Sequence, residues 1–121
     1  MAKTVANTAM ATTYDVGEWN DIHPLDKKSV AQRLFLGARK LVYGEKVQAS
    51  GPIYKEMKVE GNKAIITFTE VGGGLKCKGD KLKHFAVAGA DKKFYWADAV
   101  IRGNKVIVTC KEVAESVAVR Y

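Results

Sequence analysis

The order of apolar and polar positions changes character once along the chain. From Asp26 to Tyr43, the residues Val30, Ala31, Leu34, Phe35, Ala38, Leu41 and Val42 recur at helical spacing. Gln32, Arg33, Arg39 and Lys40 fall opposite them. The pattern predicts one amphipathic helix with Asp26 as its N-cap, the carboxylate accepting from free amides of the first turn. Basic residues near the far end suit the helix dipole, and Gly44 supplies a left-handed stop. Gly37 sits inside the helix, where it costs about 1 kcal/mol against Ala. Its use there is to admit a closely packed neighbour.

Beyond Gly51 the period falls to two. "IYKEMKVEGNKAIITFTE" reads as two strands around Gly61-Asn62. "FAVAGADKKFYWADAVIRGNKVIVTC" adds three or four more, broken at Gly89-Ala90-Asp91 and at Gly103-Asn104, and "SVAVRY" makes a last short run. Turn residues flanked by alternating Val, Ile, Thr and aromatics predict antiparallel hairpins. "VEGNKAIITF" and "IRGNKVIVTC" share turn and strand pattern, as two equivalent hairpins would. Six or seven short strands in about seventy residues predict a small antiparallel β-sandwich. The fold class is therefore α+β, mainly β, with one helix ahead of the sandwich. The stretch up to Ala11 is weakly patterned and reads as a loosely held terminus.

Composition narrows the function classes. The chain has 121 residues and is 47% hydrophobic, enough for a true core. Its formal charge of +7 is spread over pairs such as Lys27-Lys28, Arg39-Lys40 and Lys92-Lys93. No basic stripe interleaved with aromatics stands out, so nucleic acid is not the expected partner. No transmembrane run exists, and "MAKTVANTAMATT" lacks the apolar centre of a secretory leader. A membrane is therefore not an expected partner either, and the expectation is that the chain carries no address of its own or that its address lies in a part outside this sequence. Cys77 and Cys110 belong to no CxxC pair and predict no zinc site. They read as two buried free thiols, with a single disulfide as the alternative outside the cytoplasm.

The candidate chemistry lies in "YDVGEWNDIHP", Tyr14 to Pro24. Ester hydrolysis needs a nucleophile, a base to take its proton and an acid to orient the base. His23 and Asp21 supply the last two types, on a loop that Pro24 leads into the helix. From spacing alone, one Asp-x-His also fits a surface or capping role. Other features offer less. Phe94 and Trp96 alternate onto one face and read as core, with Tyr95 on the other. A sugar-binding or partner-binding module would instead use Trp96, Tyr95, Phe94 and Tyr54 for stacking. His84 reads as a strand residue, and Gly72-Gly73-Gly74 as a flexible turn without the Lys-Ser/Thr of a phosphate loop.

"NTAMATTYDVGEWNDIHPLDKKSVAQRLFLGARKLVYGE" resembles the last segment of the catalytic domain of sialate O-acetylesterases, carbohydrate esterases of the SGNH-hydrolase superfamily. "SGPIYKEMKVEGNKAIITFTEVGGGL", "FAVAGADKKFYWADAVIRGNKVIV" and "VAVRY" resemble the β-domain that follows in that family. The likeness runs from about Asn7 to the end, and "NDIHP" with "ARKLVYGE" is its most specific part.

The resemblance implies that residues 1–45 are the C-terminal segment of the esterase domain, ending with its last helix. Residues 46–121 are then the β-sandwich module. It implies that His23 is the catalytic histidine and that O-acetylated sialic acid, typically acetylated at the 9-position, is the substrate. By the same resemblance no metal or organic cofactor is expected, and the full-length protein would be periplasmic or secreted. The superfamily's usual acid lies three residues before the histidine, where this chain has Asn20. The acid role falls to Asp21 or, second, to Asp15, unless a Ser-His dyad operates. The family's Gly-x-Ser-Asn nucleophile block is not in the sequence. Ser29, Ser50 and Ser116 lack a strand-to-helix elbow. The expectation is a C-terminal fragment, inactive alone, whose partner is the missing N-terminal catalytic half.

Overall fold

The computed structural model describes residues 4–121, so the first three residues of the weakly patterned terminus lie outside the described residues. The chain forms two compact units, the first ending at Gly51 and the second running Pro52–Tyr121.

The first unit holds one helix, α1 (Lys27–Leu41). Its N-cap is Asp26, whose Oδ1 accepts from the Ser29 amide at 2.9 Å and whose Oδ2 accepts from the Ser29 hydroxyl at 2.6 Å. These bonds hold the Asp26 carboxyl below its ordinary value. Arg39 and Lys40 occupy the last turn, and Arg39 reaches forward to the Glu45 carboxylate. Gly44 follows at φ +65, the left-handed stop that a residue without Cβ adopts freely.

Which face of α1 is covered differs from the apolar stripe. Gly37 is buried, and Ser29, Val30, Arg33 and Leu36 are half-buried around it. Leu34, Phe35, Leu41 and Val42 are exposed. The segment before the helix lies on the side centred on Arg33 and Gly37. Arg33 donates to Asp15 and to the Thr12 carbonyl, and a Cβ placed on Gly37 would meet the Ala9 Cβ at 2.9 Å. Gly37 thus serves close packing, with the N-terminal segment as its neighbour.

The second unit is a two-sheet sandwich. Its strands are β1 (Ile53–Glu60), β2 (Lys63–Thr69), β3 (Ala86–Ala88), β4 (Phe94–Trp96), β5 (Asp98–Arg102), β6 (Lys105–Thr109) and β7 (Ala118–Arg120). One sheet has the order β1-β2-β6-β5 and the other β4-β3-β7, with every pairing antiparallel. The repeated sequence pattern becomes a local two-fold. Each hairpin turns through Gly-Asn, with Gly61 at φ +57 and Gly103 at φ +60, the first central position that a type II′ turn gives to Gly. The inner strands then pair symmetrically about Ile65 and Ile107, with Lys63 opposite Thr109 and Thr67 opposite Lys105.

Alternation supplies the core. Ala64 and Ile66 of β2 and Val106 and Val108 of β6 point inward, with Ala99 of β5 beside them. Phe85 and Val87 close over them from the second sheet, and Cys110 and Val113 complete the cluster. The chain changes sheets at Ala97, whose amide donates to the Phe85 carbonyl at 2.9 Å.

Three local expectations are corrected. Trp96 is 77% exposed and Phe94 half-buried, because their shared face is the outer one. His84 lies before β3 in a loop at φ +69 and is not a strand residue. Both cysteines are free, but only Cys110 is buried, Cys77 being half-exposed.

Candidate functional site

The loop carrying His23 is built by carboxylates that accept backbone amides. Glu18 Oε1 accepts from the Leu25 amide at 3.0 Å, and Glu18 and Asp21 form an isolated antiparallel bridge. Asp21 Oδ1 accepts from the His23 amide at 2.7 Å, and Asp26 caps the helix that follows. Short acidic side chains do this well because each offers an acceptor to amides that a tight loop leaves without backbone partners. Pro24 fixes φ where the loop turns toward α1.

His23 stands out from this loop with a side chain 76% exposed. Its Nδ1 lies 3.7 Å from Asp21 Oδ1, longer than a hydrogen bond but close enough for a small rotation to make one. Nε2 has no protein partner among the described residues. Asp15 is engaged elsewhere. Both its oxygens accept from the Arg33 guanidinium, at 2.6 and 2.7 Å. This pairing holds the Asp15 carboxyl below its ordinary range and raises the Arg33 guanidinium above its own. Among the described residues, the hydrogen-bonding and ionic neighbour of His23 is Asp21 and not Asn20.

Beside the loop, Thr13, Pro24, Lys27, Val30, Ala31 and Leu34 line an open hollow of about 400 Å³. Its lining is mainly apolar, and Pro24 puts it next to His23 in the chain. Trp19, Ile22 and Leu25 around the loop are exposed, Trp19 by 96%. The first unit therefore presents an imidazole, a nearby carboxylate and an uncovered apolar surface. That set can move a proton and shelter an apolar group. The Ser29 hydroxyl, at the start of α1, donates to the Asp26 carboxylate.

Ser50 precedes the second unit, and its carbonyl accepts from Gln48. Ser116 is buried at 2% exposure with an Oγ that has no hydrogen-bond partner. Among the described residues, no group of three or more His, Cys, Asp or Glu is placed to hold a metal ion, and no helix is long and apolar enough to cross a membrane.

Sequence reasoning singled out His23, Asp21 and Asp15 as candidates but passed over two residues that set the loop's geometry. Arg33 reads in sequence as solvated helix surface, and its separation of 18 residues from Asp15 gives no local signal. Glu18 reads only as one acid among several. In the second unit, Tyr95 lines an open hollow with Asp91, Glu112 and Glu115, while Tyr54 is exposed on β1.

No family model matches the chain. Part of it is similar to sialate O-acetylesterases: the human protein is 40% identical over 68 residues, and the mouse protein 38%. These matches cover 52% of this chain and 13% of each relative. A solved carbohydrate acetylesterase from Xanthomonas citri is 42% identical with a TM-score of 0.84, over 88% of this chain and 25% of that one. The chain therefore spans a small part of the length of the proteins it matches.

Proposed function

We propose that this chain is the C-terminal part of a carbohydrate O-acetylesterase that removes acetyl groups from sialic acid. In this reading residues 1–45 bring His23 to the active site and residues 46–121 form an attached β-sandwich module. The serine and the oxyanion donors, in this reading, come from a catalytic half outside the 121 residues. The observation that carries the reading is the 42% identity to a carbohydrate acetylesterase across 88% of the chain, a quarter of that protein. The uncovered apolar side chains of the first unit support it. Leaving Leu34, Phe35, Leu41 and Trp19 in water forgoes about 2 kcal/mol for each large side chain that a neighbouring body would bury.

The chemistry follows from the imidazole. The serine Oγ attacks the acetyl carbonyl while His23 Nε2 takes its proton. His23 then returns that proton to the departing sugar oxygen, leaving an acetyl-serine. Water attacks the acetyl-serine with His23 again as base, releasing acetate. Asp21 is the preferred orienting acid, because it faces Nδ1 and leaves Nε2 open, whereas Asp15 is held by Arg33. Asp15 then acts on the loop's position, through the segment it ties to α1.

Two measurements test this. The 121-residue chain alone should hydrolyse p-nitrophenyl acetate no faster than its His23→Ala variant. A His23-dependent burst with an acetylated serine found by mass spectrometry would overturn that, and Ser29 would be the first suspect. Joined to a catalytic half, His23→Ala should lose several powers of ten in acetate release from O-acetylated sialic acid. Asp21→Asn should lose less if a dyad suffices. If Asp15→Asn is crippling while Asp21→Asn is mild, the assignment of the acid is wrong.

A further inference from the structure

The outward face of the β4-β3-β7 sheet has a shape that the core does not explain. Val87 of the central strand is fully buried, so its cross-strand partners Tyr95 and Val119 share the inner side. The intervening residues take the outer side. There the register sets Trp96, Ala86 and Arg120 in one row, and Phe94, Ala88 and Ala118 in the next. The middle strand contributes alanine to both rows, Ala88 being 1% exposed beneath its neighbours, so no long side chain of that strand stands between the outer strands, about 10 Å apart. Arg120 leans over this low floor until its guanidinium carbon lies 3.8 Å from the centroid of the Phe94 ring.

A guanidinium stacked on a ring keeps its edge N–H groups free to donate in plane. No carboxylate pairs with Arg120 among the described residues. Two positions along β4 from Phe94, on the same face, Trp96 offers its indole to solvent. An oriented, unpaired cation thus sits on the same small platform as an open aromatic face.

We propose that this face is a saccharide-binding site for a pyranose carrying a carboxylate. Trp96 stacks on the C–H face of the ring, and Arg120 takes the carboxylate through its fork of donors. Phe94 fixes the guanidinium in advance, so little side-chain freedom is lost on binding. A carboxylate side chain of a peptide would by itself use Arg120 and leave Trp96 uncovered. A neutral hexose would use Trp96 but leave Arg120 idle. The inference does not depend on the esterase reading, since the two side chains alone set the ligand class.

The test is a titration of the full chain with glucuronate and with glucose, which differ at C6 by the carboxylate. Chemical shifts of the backbone amides and of the Trp96 indole N–H report binding. Glucuronate should move resonances of β4, β3 and β7 saturably, and glucose should bind about tenfold more weakly, the worth of one charge-assisted pair. Arg120→Gln should bring glucuronate down to the level of glucose, and Trp96→Ala should abolish both. Arg120 is exposed, so its variant keeps the inference testable if Trp96→Ala fails to fold. Equal affinity for the two sugars, indifference to Arg120→Gln, shifts confined to other surfaces, or no saturation at all would overturn it. The experiment involves no acetyl transfer and does not depend on His23, so its failure leaves the esterase reading untouched.

Discussion

Gly37→Ala sets two local effects against each other. Ala is the better helix former by about 1 kcal/mol, so the helix taken alone should gain. The new Cβ would lie 2.9 Å from the Ala9 Cβ, whereas carbon atoms rest comfortably at about 3.5–4.0 Å. One side must therefore retreat by about 1 Å. The helix is regular and the segment holding Ala9 is not, so the segment yields. Overpacking of this kind costs about 1–3 kcal/mol where neighbours cannot move. Here the cost appears as undocking of the residues before the helix. The expected outcome is a loss of the Asp15–Arg33 pairing with α1 intact. In NMR titrations the Asp15 carboxyl should rise back toward its ordinary value of 3.8. Ala9→Gly combined with Gly37→Ala should restore both the docking and the depressed carboxyl, by removing the opposing Cβ. An unchanged Asp15 titration in Gly37→Ala, or a double variant no better than the single, would refute the close-packing argument.

Acid should act on the same contact. Because the Asp15 carboxyl is depressed below 3.8, its pairing supports docking fully above that value. The support is lost as pH falls through the lower folded value, which amide exchange of the Thr8–Val16 segment can follow; docking indifferent to that window would contradict it. Val108→Ala removes two methyl groups from a fully buried position and should cost about 2–3 kcal/mol in urea unfolding, and a loss below about 1 kcal/mol would refute the core assignment. In the native protein, a thiol reagent should label Cys77 readily and leave Cys110 until unfolding. Cys110 is buried, burial pushes its thiol up, and it donates to Glu112. Gly61→Ala and Gly103→Ala should each cost about 1 kcal/mol in unfolding assays, because both turns need positive φ; a cost at one turn only would break the equivalence of the two hairpins.

Local chemistry was legible in the sequence wherever a residue's partner lies within a turn of it. Asp26 caps its own helix, Gly44 stops it, and the Gly-Asn turns fold hairpins whose strands follow by alternation. The loop around His23 is of this kind too, since Asp21 reaches an amide two residues on. That His23 carries chemistry came from the likeness of "NDIHP" to a family, and spacing alone left a capping role open. Periodicity is a weaker guide to surroundings. It states which residues share a face and not which face is covered. On α1 the apolar stripe of Leu34 and Leu41 stays open, while Arg33 and Gly37 take the contact, because Asp15 and Ala9 approach from many residues away. On β4, alternation paired Phe94 with Trp96, but the sheet's order turned that pair outward by sending Val87 into the core. Parity along a strand or helix belongs to the local backbone. The side that is buried depends on surfaces brought together only when the chain has folded.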